Sequence, residues 1–127
     1  MDEESGKPHS GSKSYGKTGE DLAEKLLVES GYKIIKRNFR FGKGEIDIVA
    51  LDGNCLVFVE VKTRRNLEFG EPEYSITKSK IKQLKRIAEA YYYINKIENQ
   101  ECRFDVITIV GELKNNPQIN HIKNAFY

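Results

Sequence analysis

The sequence predicts an α/β protein, a mixed β-sheet flanked by helices in the order α-β-β-β-α-β-(β). Two segments predict the heart of the sheet. Gly44-Glu45-Ile46-Asp47-Ile48-Val49 alternates acidic and apolar residues before an apolar run, and Leu56-Val57-Phe58-Val59-Glu60-Val61-Lys62 is nearly continuous β-branched and aromatic residues. Central strands read as such runs. Leu51-Asp52-Gly53-Asn54 between them is a turn sequence, so the two segments form a hairpin. The third observation is a long helical pattern further on, with apolar residues at helical spacing and a basic opening.

Taken in order, residues 1–14 are rich in Gly, Ser and charge, without hydrophobic periodicity, and are expected to form a disordered arm. Residues 15–127 are expected to form a single domain. A helix is predicted from near Thr18, with Thr18 as cap and Asp21 completing a capping-box-like pair. Leu22, Ala23, Leu26 and Leu27 supply its apolar stripe, and Gly31 ends it. Tyr32 to Phe41 is the first strand, carrying Lys33, Lys36, Arg37 and Arg40, and the hairpin follows. Residues 63–74 form a loop with Gly70 and Pro72. The second helix runs from about Thr77 to about Lys96, with Ile81, Leu84, Ile87, Ala88, Tyr91 and Ile94 on its inner side. Arg103 to Val110 is a further strand, and a weaker one lies at Gln118 to Ile122.

Composition narrows the chemistry. Hydrophobic content of 39% and charged content of 31% are ordinary for a globular protein, and the net charge of +2 over 127 residues says little about partners. No stretch is long and apolar enough to span a membrane, and the polar N-terminus lacks a signal-peptide core, so a cytoplasmic protein is expected. Cys55 and Cys102 fit neither a metal-ligand spacing nor a disulfide framework, and His9 and His121 are isolated. Zinc sites and Ser-His-Asp or Cys-His centres are therefore disfavoured.

Glu45, Asp47, Glu60 and Lys62 carry the argument. Ionised groups are rarely buried on a central strand without a partner. Glu60 and Lys62 share one strand face, and Asp47 lies on the neighbouring strand. Two converging carboxylates beside a lysine suit a hard divalent cation such as Mg²⁺, which takes oxygen ligands and needs only one or two carboxylates. Such a cation activates water and stabilises phosphoryl charge, and the nearby Lys can orient the water. The bland alternatives are a surface ion pair between Glu60 and Lys62, and a Glu45 that only pairs with a nearby Arg. Glu20, expected in the first helical turn, could serve the helix dipole or hold a metal-bound water. Basic residues recur along the first strand and its turn (Arg37, Arg40, Lys43), after Lys62 (Arg64, Arg65) and at the opening of the second helix (Lys78, Lys82). A basic rim around an acidic pocket suits a nucleic-acid backbone, although such runs are commonly just solvated surface. Of Tyr91, Tyr92 and Tyr93, one or two are expected in the core rather than stacking on bases.

A Glu in the first helix, an Asp on one strand, Glu-x-Lys on the next and a basic helix together resemble the PD-(D/E)xK nuclease superfamily. Longer strings are more specific: Gly16 to Ala23, Gly31 to Arg40, Gly44-Glu45-Ile46-Asp47, Val57 to Arg64 and Arg103-Phe104-Asp105-Val106. With these, the chain from about Gly16 to about Ile109 resembles the YraN-like family of small bacterial proteins. The resemblance implies a restriction-endonuclease-like core, similar to that of Holliday-junction resolvases. It implies Asp47, Glu60 and the Val61 carbonyl as metal ligands for Mg²⁺ or Mn²⁺, Lys62 positioning the water and Glu20 in support. Lys78 and Lys82 would face the substrate or the active site. Ile46 stands where the superfamily has Pro.

The expected function is metal-dependent endonuclease action on DNA, at branched structures in repair or recombination. Non-catalytic nucleic-acid binding or an adaptor role is the alternative, and RNA is not separated from DNA. A homodimer is expected only by analogy with junction resolvases.

Overall fold

The structure is a computed structural model describing residues 11–68 and 76–126. It contains helices α1 (Gly11–Glu29) and α2 (Lys78–Ile94) and strands β1 (Lys33–Phe41), β2 (Gly44–Asp52), β3 (Cys55–Arg64), β4 (Cys102–Val110) and β5 (Gln118–Phe126). The strands form one mixed sheet in the order β1-β2-β3-β4-β5, with β3 and β4 parallel and the other pairs antiparallel. A parallel pair needs a crossover, and α2 lies in that connection.

Each sheet face is covered by one helix. The apolar stripe of α1 places Ala23 and Leu27 against Ile48, Ala50, Val57, Val59, Ile107 and Ile109. On the other face, Leu84, Ile87, Ala88 and Tyr91 of α2 pack on Ile46, Val49, Leu56, Phe58 and Phe104. Tyr91 is core, Tyr92 packs at its margin and Tyr93 is 86% exposed.

Some elements differ from expectation. Helix α1 begins at Gly11, so Thr18 is inside it and Glu20 lies well past the first turn, removing the helix-dipole role. The backbone of residues 11–14 belongs to this helix, while residues 1–10 of the expected arm and residues 69–74 of the expected loop lie outside the described residues. Thr77 is the N-cap of α2, its hydroxyl accepting the Lys80 N–H at 3.1 Å. Ile94, in the last turn, is 54% exposed rather than inward. Strand β5 continues to Phe126, beyond the expected Ile122, and Phe126 stacks on Phe104 with centroids 5.0 Å apart.

Both outer strands are irregular. The β1 ladder shifts register between Ile34 and Lys36, and Asn38 has φ 53°. At the other edge the β4–β5 ladder shifts between Phe104 and Val106, and Asn124 has φ 52°. Asp105, fully buried at that second irregularity, accepts hydrogen bonds from Arg103 Nε (3.0 Å) and the Asn124 N–H (3.0 Å), and pairs with His121 Nε2 (2.7 Å). Arg103 also reaches Asp52 at 3.1 Å and the Tyr32 hydroxyl, so one buried acid joins four strands or their ends.

The feature that positions the site is a fork. The β2–β3 ladder runs from Asp52↔Cys55 to Ile48↔Val59 and stops. Across Asp47 the alternation breaks: Ile46 packs toward α2, yet Ile48 packs toward α1. Asp47 Oδ2 accepts the Val61 N–H at 2.8 Å, so a carboxylate replaces the absent backbone acceptor.

Two glycines bring the helices close beside this fork. A Cβ on Gly44 would lie 2.6 Å from Ile87 Cδ1 of α2, and one on buried Gly19 of α1 would overlap Thr63 Cγ2 of β3. The next residue in each case is a site carboxylate, Glu45 or Glu20. Gly19→Val is expected to destabilise the fold by about 1–3 kcal/mol through overpacking. Thermal unfolding checks this, and an unchanged Tm counts against a tight α1–β3 seat.

Candidate metal centre

Asp47 stands at the centre of three other acidic side chains, Glu20, Glu45 and Glu60. Glu20 from α1 and Glu45 from β2 each offer a carboxylate oxygen such that these atoms and one of Asp47 all lie within 4.8 Å of one another. Glu60 approaches from β3, on the face that Leu56 and Phe58 pack toward α2, and is only 7% exposed. The pocket at the fork, about 410 Å³, is lined by Glu45, Asp47 and Glu60, the hairpin tip around Lys43, and Lys80 and Gln83 of α2.

The electrostatics are those of crowded anions. Burial, then the charge of Glu60, then those of Glu20 and Glu45, push the Asp47 carboxyl up to about 8, against the opposing Val61 N–H bond. Burial likewise raises Glu60, opposed by the charges of Lys80 and Lys62. Glu45 Oε2 is buried without a hydrogen bond: Arg40 Nη2 lies 3.3 Å away, giving it a charge partner in poor hydrogen-bonding geometry. Hard oxygen donors, mutual repulsion and a hydrogen-bond-free buried oxygen all fit a divalent cation of the Mg²⁺ type. Asp47, Glu20, Glu45 and Glu60 are the side chains that would hold it.

Glu20 is fixed by two donors on β1, Arg37 Nη2 at 3.2 Å and Asn38 Nδ2 at 3.1 Å. The left-handed backbone at Asn38, φ 53°, lies between Arg37 and Phe39, which pair with Ile48 and Ile46 on either side of Asp47. Arg37 also binds Asp21 (2.8 Å) and Glu24 (3.1 Å). Its guanidinium, expected at a nucleic-acid surface, is engaged on the acidic face of α1, where it positions Glu20.

The structure sets Glu20 and Asp47 within 4.8 Å of each other and Glu60 where its charge acts on Asp47, and Val61, expected through its carbonyl, meets Asp47 through its N–H. Lys62 is half-buried, on the same strand face as Glu60, and its charge acts on that carboxylate. Of the cations that line the pocket, Lys80 is the one paired with Glu60, at 4.0 Å, a residue the sequence motif does not single out. Its signal was present, since Lys80, Leu84, Ile87, Ala88 and Tyr91 follow one helical stripe. Lys78 and Lys82 are exposed on the same helix and lie off that stripe. Arg40 and Lys43 line the pocket, while Arg64 ends β3 and Arg65 lies 3.8 Å from Glu112.

Fold and site together define a small mixed α/β protein with a multi-carboxylate pocket at a fork in its sheet. The chain belongs to the uncharacterised protein family UPF0102, whose model matches residues 19–109. A UPF0102 protein of Caldicellulosiruptor saccharolyticus is 49% identical over 112 residues, covering 87% of this chain and 95% of that one. One from Bacteroides thetaiotaomicron is also 49% identical over 112 residues, covering 88% and 91%. Among solved structures, Pyrococcus furiosus SfsA in complex with Ca²⁺ is similar at a TM-score of 0.37 and 16% identity, over 88% of this chain and 63% of that chain. Among the described residues, no helix is long and apolar enough to cross a membrane.

Proposed function

We propose that this chain is a metal-dependent endonuclease that hydrolyses DNA phosphodiester bonds. The observation that carries the reading is the set of four carboxylates, Glu20, Glu45, Glu60 and Asp47 itself, bordered by Lys62 and Lys80 and by the basic residues of the hairpin tip. Mg²⁺, or Mn²⁺ in its place, would supply an activated water and charge stabilisation at phosphorus when bound. Lys62, beside Glu60, would orient the attacking water. Glu20, held by Arg37 and Asn38, would fix the far side of the pocket. Arg40, Lys43, Arg64, Arg65, Lys78 and Lys82 would carry the backbone of the nucleic acid on either side of the cut. On this reading the protein acts in the cytoplasm, and as a homodimer where two symmetric cuts are required.

The test is cleavage of a labelled panel of single strand, duplex, flap, four-way junction and RNA with Mg²⁺ or Mn²⁺, wild type beside Glu60→Ala. Cutting by wild type that falls about 10³-fold or more in the variant is expected. Retention of branched DNA with no cutting under either metal would replace the proposal with a non-catalytic binding role.

A further inference from the structure

The pocket's two closest cation–carboxylate contacts share an unusual form. Arg40 Nη2 sits 3.3 Å from Glu45 Oε2 without forming a hydrogen bond, and Lys80 Nζ sits 4.0 Å from Glu60 Oε2, beyond hydrogen-bond range. They come from opposite walls, β1 and α2, and both side chains line the pocket. Both also reach solvent, Arg40 at 77% and Lys80 at 36% exposure. Arg37 is different in kind: it is held by three carboxylates at 2.8–3.2 Å and is only 23% exposed. Arg40 and Lys80 are therefore loosely held charges resting on carboxylates that a metal would claim.

We infer that Arg40 and Lys80 are substrate-phosphate contacts released by the metal, so that cation and nucleic-acid binding reinforce each other through these two side chains. This rests on the nuclease reading. A divalent ion among Glu45, Asp47 and Glu60 neutralises the charge that now holds the two cations. Both are long side chains on the solvent side of the pocket, and once displaced they are free to meet a phosphate on the strand presented to the fork. The relation is reciprocal by linkage: DNA that engages Arg40 and Lys80 uncovers the carboxylates and tightens metal binding by the same factor.

Two measurements on the full chain test this, using Arg40→Gln, Lys80→Gln and the double variant, which exposure makes compatible with folding. The first is calorimetric titration with Mn²⁺ at mildly alkaline pH without DNA. Loss of two competing positive charges is expected to tighten cation binding, about tenfold in the double variant; unchanged or weaker binding overturns the inference. The second is the salt dependence of flap-DNA binding with and without Ca²⁺ as a non-cleaving probe. In wild type, Ca²⁺ is expected to steepen the slope of log affinity against log salt by about two, one for each released phosphate contact, and in the double variant to leave it unchanged. Wild type that binds DNA with a Ca²⁺-independent slope overturns the inference and leaves the nuclease reading standing. Wild type that binds no DNA under any condition overturns both.

Discussion

Asp47→Asn is expected to lower the proposed cleavage by about 10³-fold or more, while making the metal-free fold more stable. The variant keeps an oxygen to accept the Val61 N–H, so the fork is preserved. What it removes is a charge in a crowded, buried place. The folded-state pKa of Asp47 is raised from 3.8 to about 8, so the folded chain holds a proton that the unfolded chain gives up. Stability from this group is complete below its unfolded value of 3.8 and is lost as pH rises from there through about 8, on the order of a few kcal/mol. Tm measured against pH, with and without Mg²⁺, checks the prediction. Wild type should lose stability from mildly acid to mildly alkaline pH and regain it with Mg²⁺, whereas Asp47→Asn should show a smaller loss, the part that buried Glu60 still contributes, and a smaller recovery. Identical profiles for the two proteins would mean that Asp47 is not the crowded acid.

Asp105→Ala is the largest expected loss of stability. The carboxylate is fully buried and joins Arg103, His121 and the Asn124 N–H. Its removal leaves Arg103, 18% exposed, without its principal partner. Breaking a buried pair from one side costs about 3–5 kcal/mol, or roughly 10–20 °C in Tm for a chain of this size. His121, Arg103 and the Asn124 N–H outweigh burial and hold Asp105 below the usual carboxylate range. Its contribution is present above that range and fades in acid, the opposite sense to Asp47. Denaturant unfolding of Asp105→Ala near neutral pH measures the loss; a change under 1 kcal/mol would show that the network is dispensable.

The frame was legible in the sequence because periodicity wrote it. Leu22, Ala23, Leu26 and Leu27 fall on one side of α1, and the runs of β2 and β3 are central strands. Glu20, Asp47 and Glu60 converge as their motif implies. The start of α1 was hidden because residues 11–17 carry no apolar stripe to mark a buried face. Lys80 was hidden among Lys78, Lys80 and Lys82, where composition is uniform and only helical phase tells the residues apart. The network role of Asp105 was hidden, since its partners His121 and Asn124 are 16 and 19 residues away in sequence. Asp47 had a visible identity but not a visible orientation, because broken alternation at the fork is a property of pairing between strands.

The outer strands bear on how this chain behaves in company. A sheet with two open edges offers each edge as a template for a neighbouring chain's backbone. Here the register shift and left-handed Asn38 disrupt one edge, along which Lys33, Lys36 and Arg40 add repelling charge. A matching irregularity at Asn124 and the charge of Lys123 disrupt the other. Strand addition between copies is thereby discouraged on both sides, which guards newly made molecules against aggregation. A functional pairing of two copies would have to use helix or loop surfaces instead.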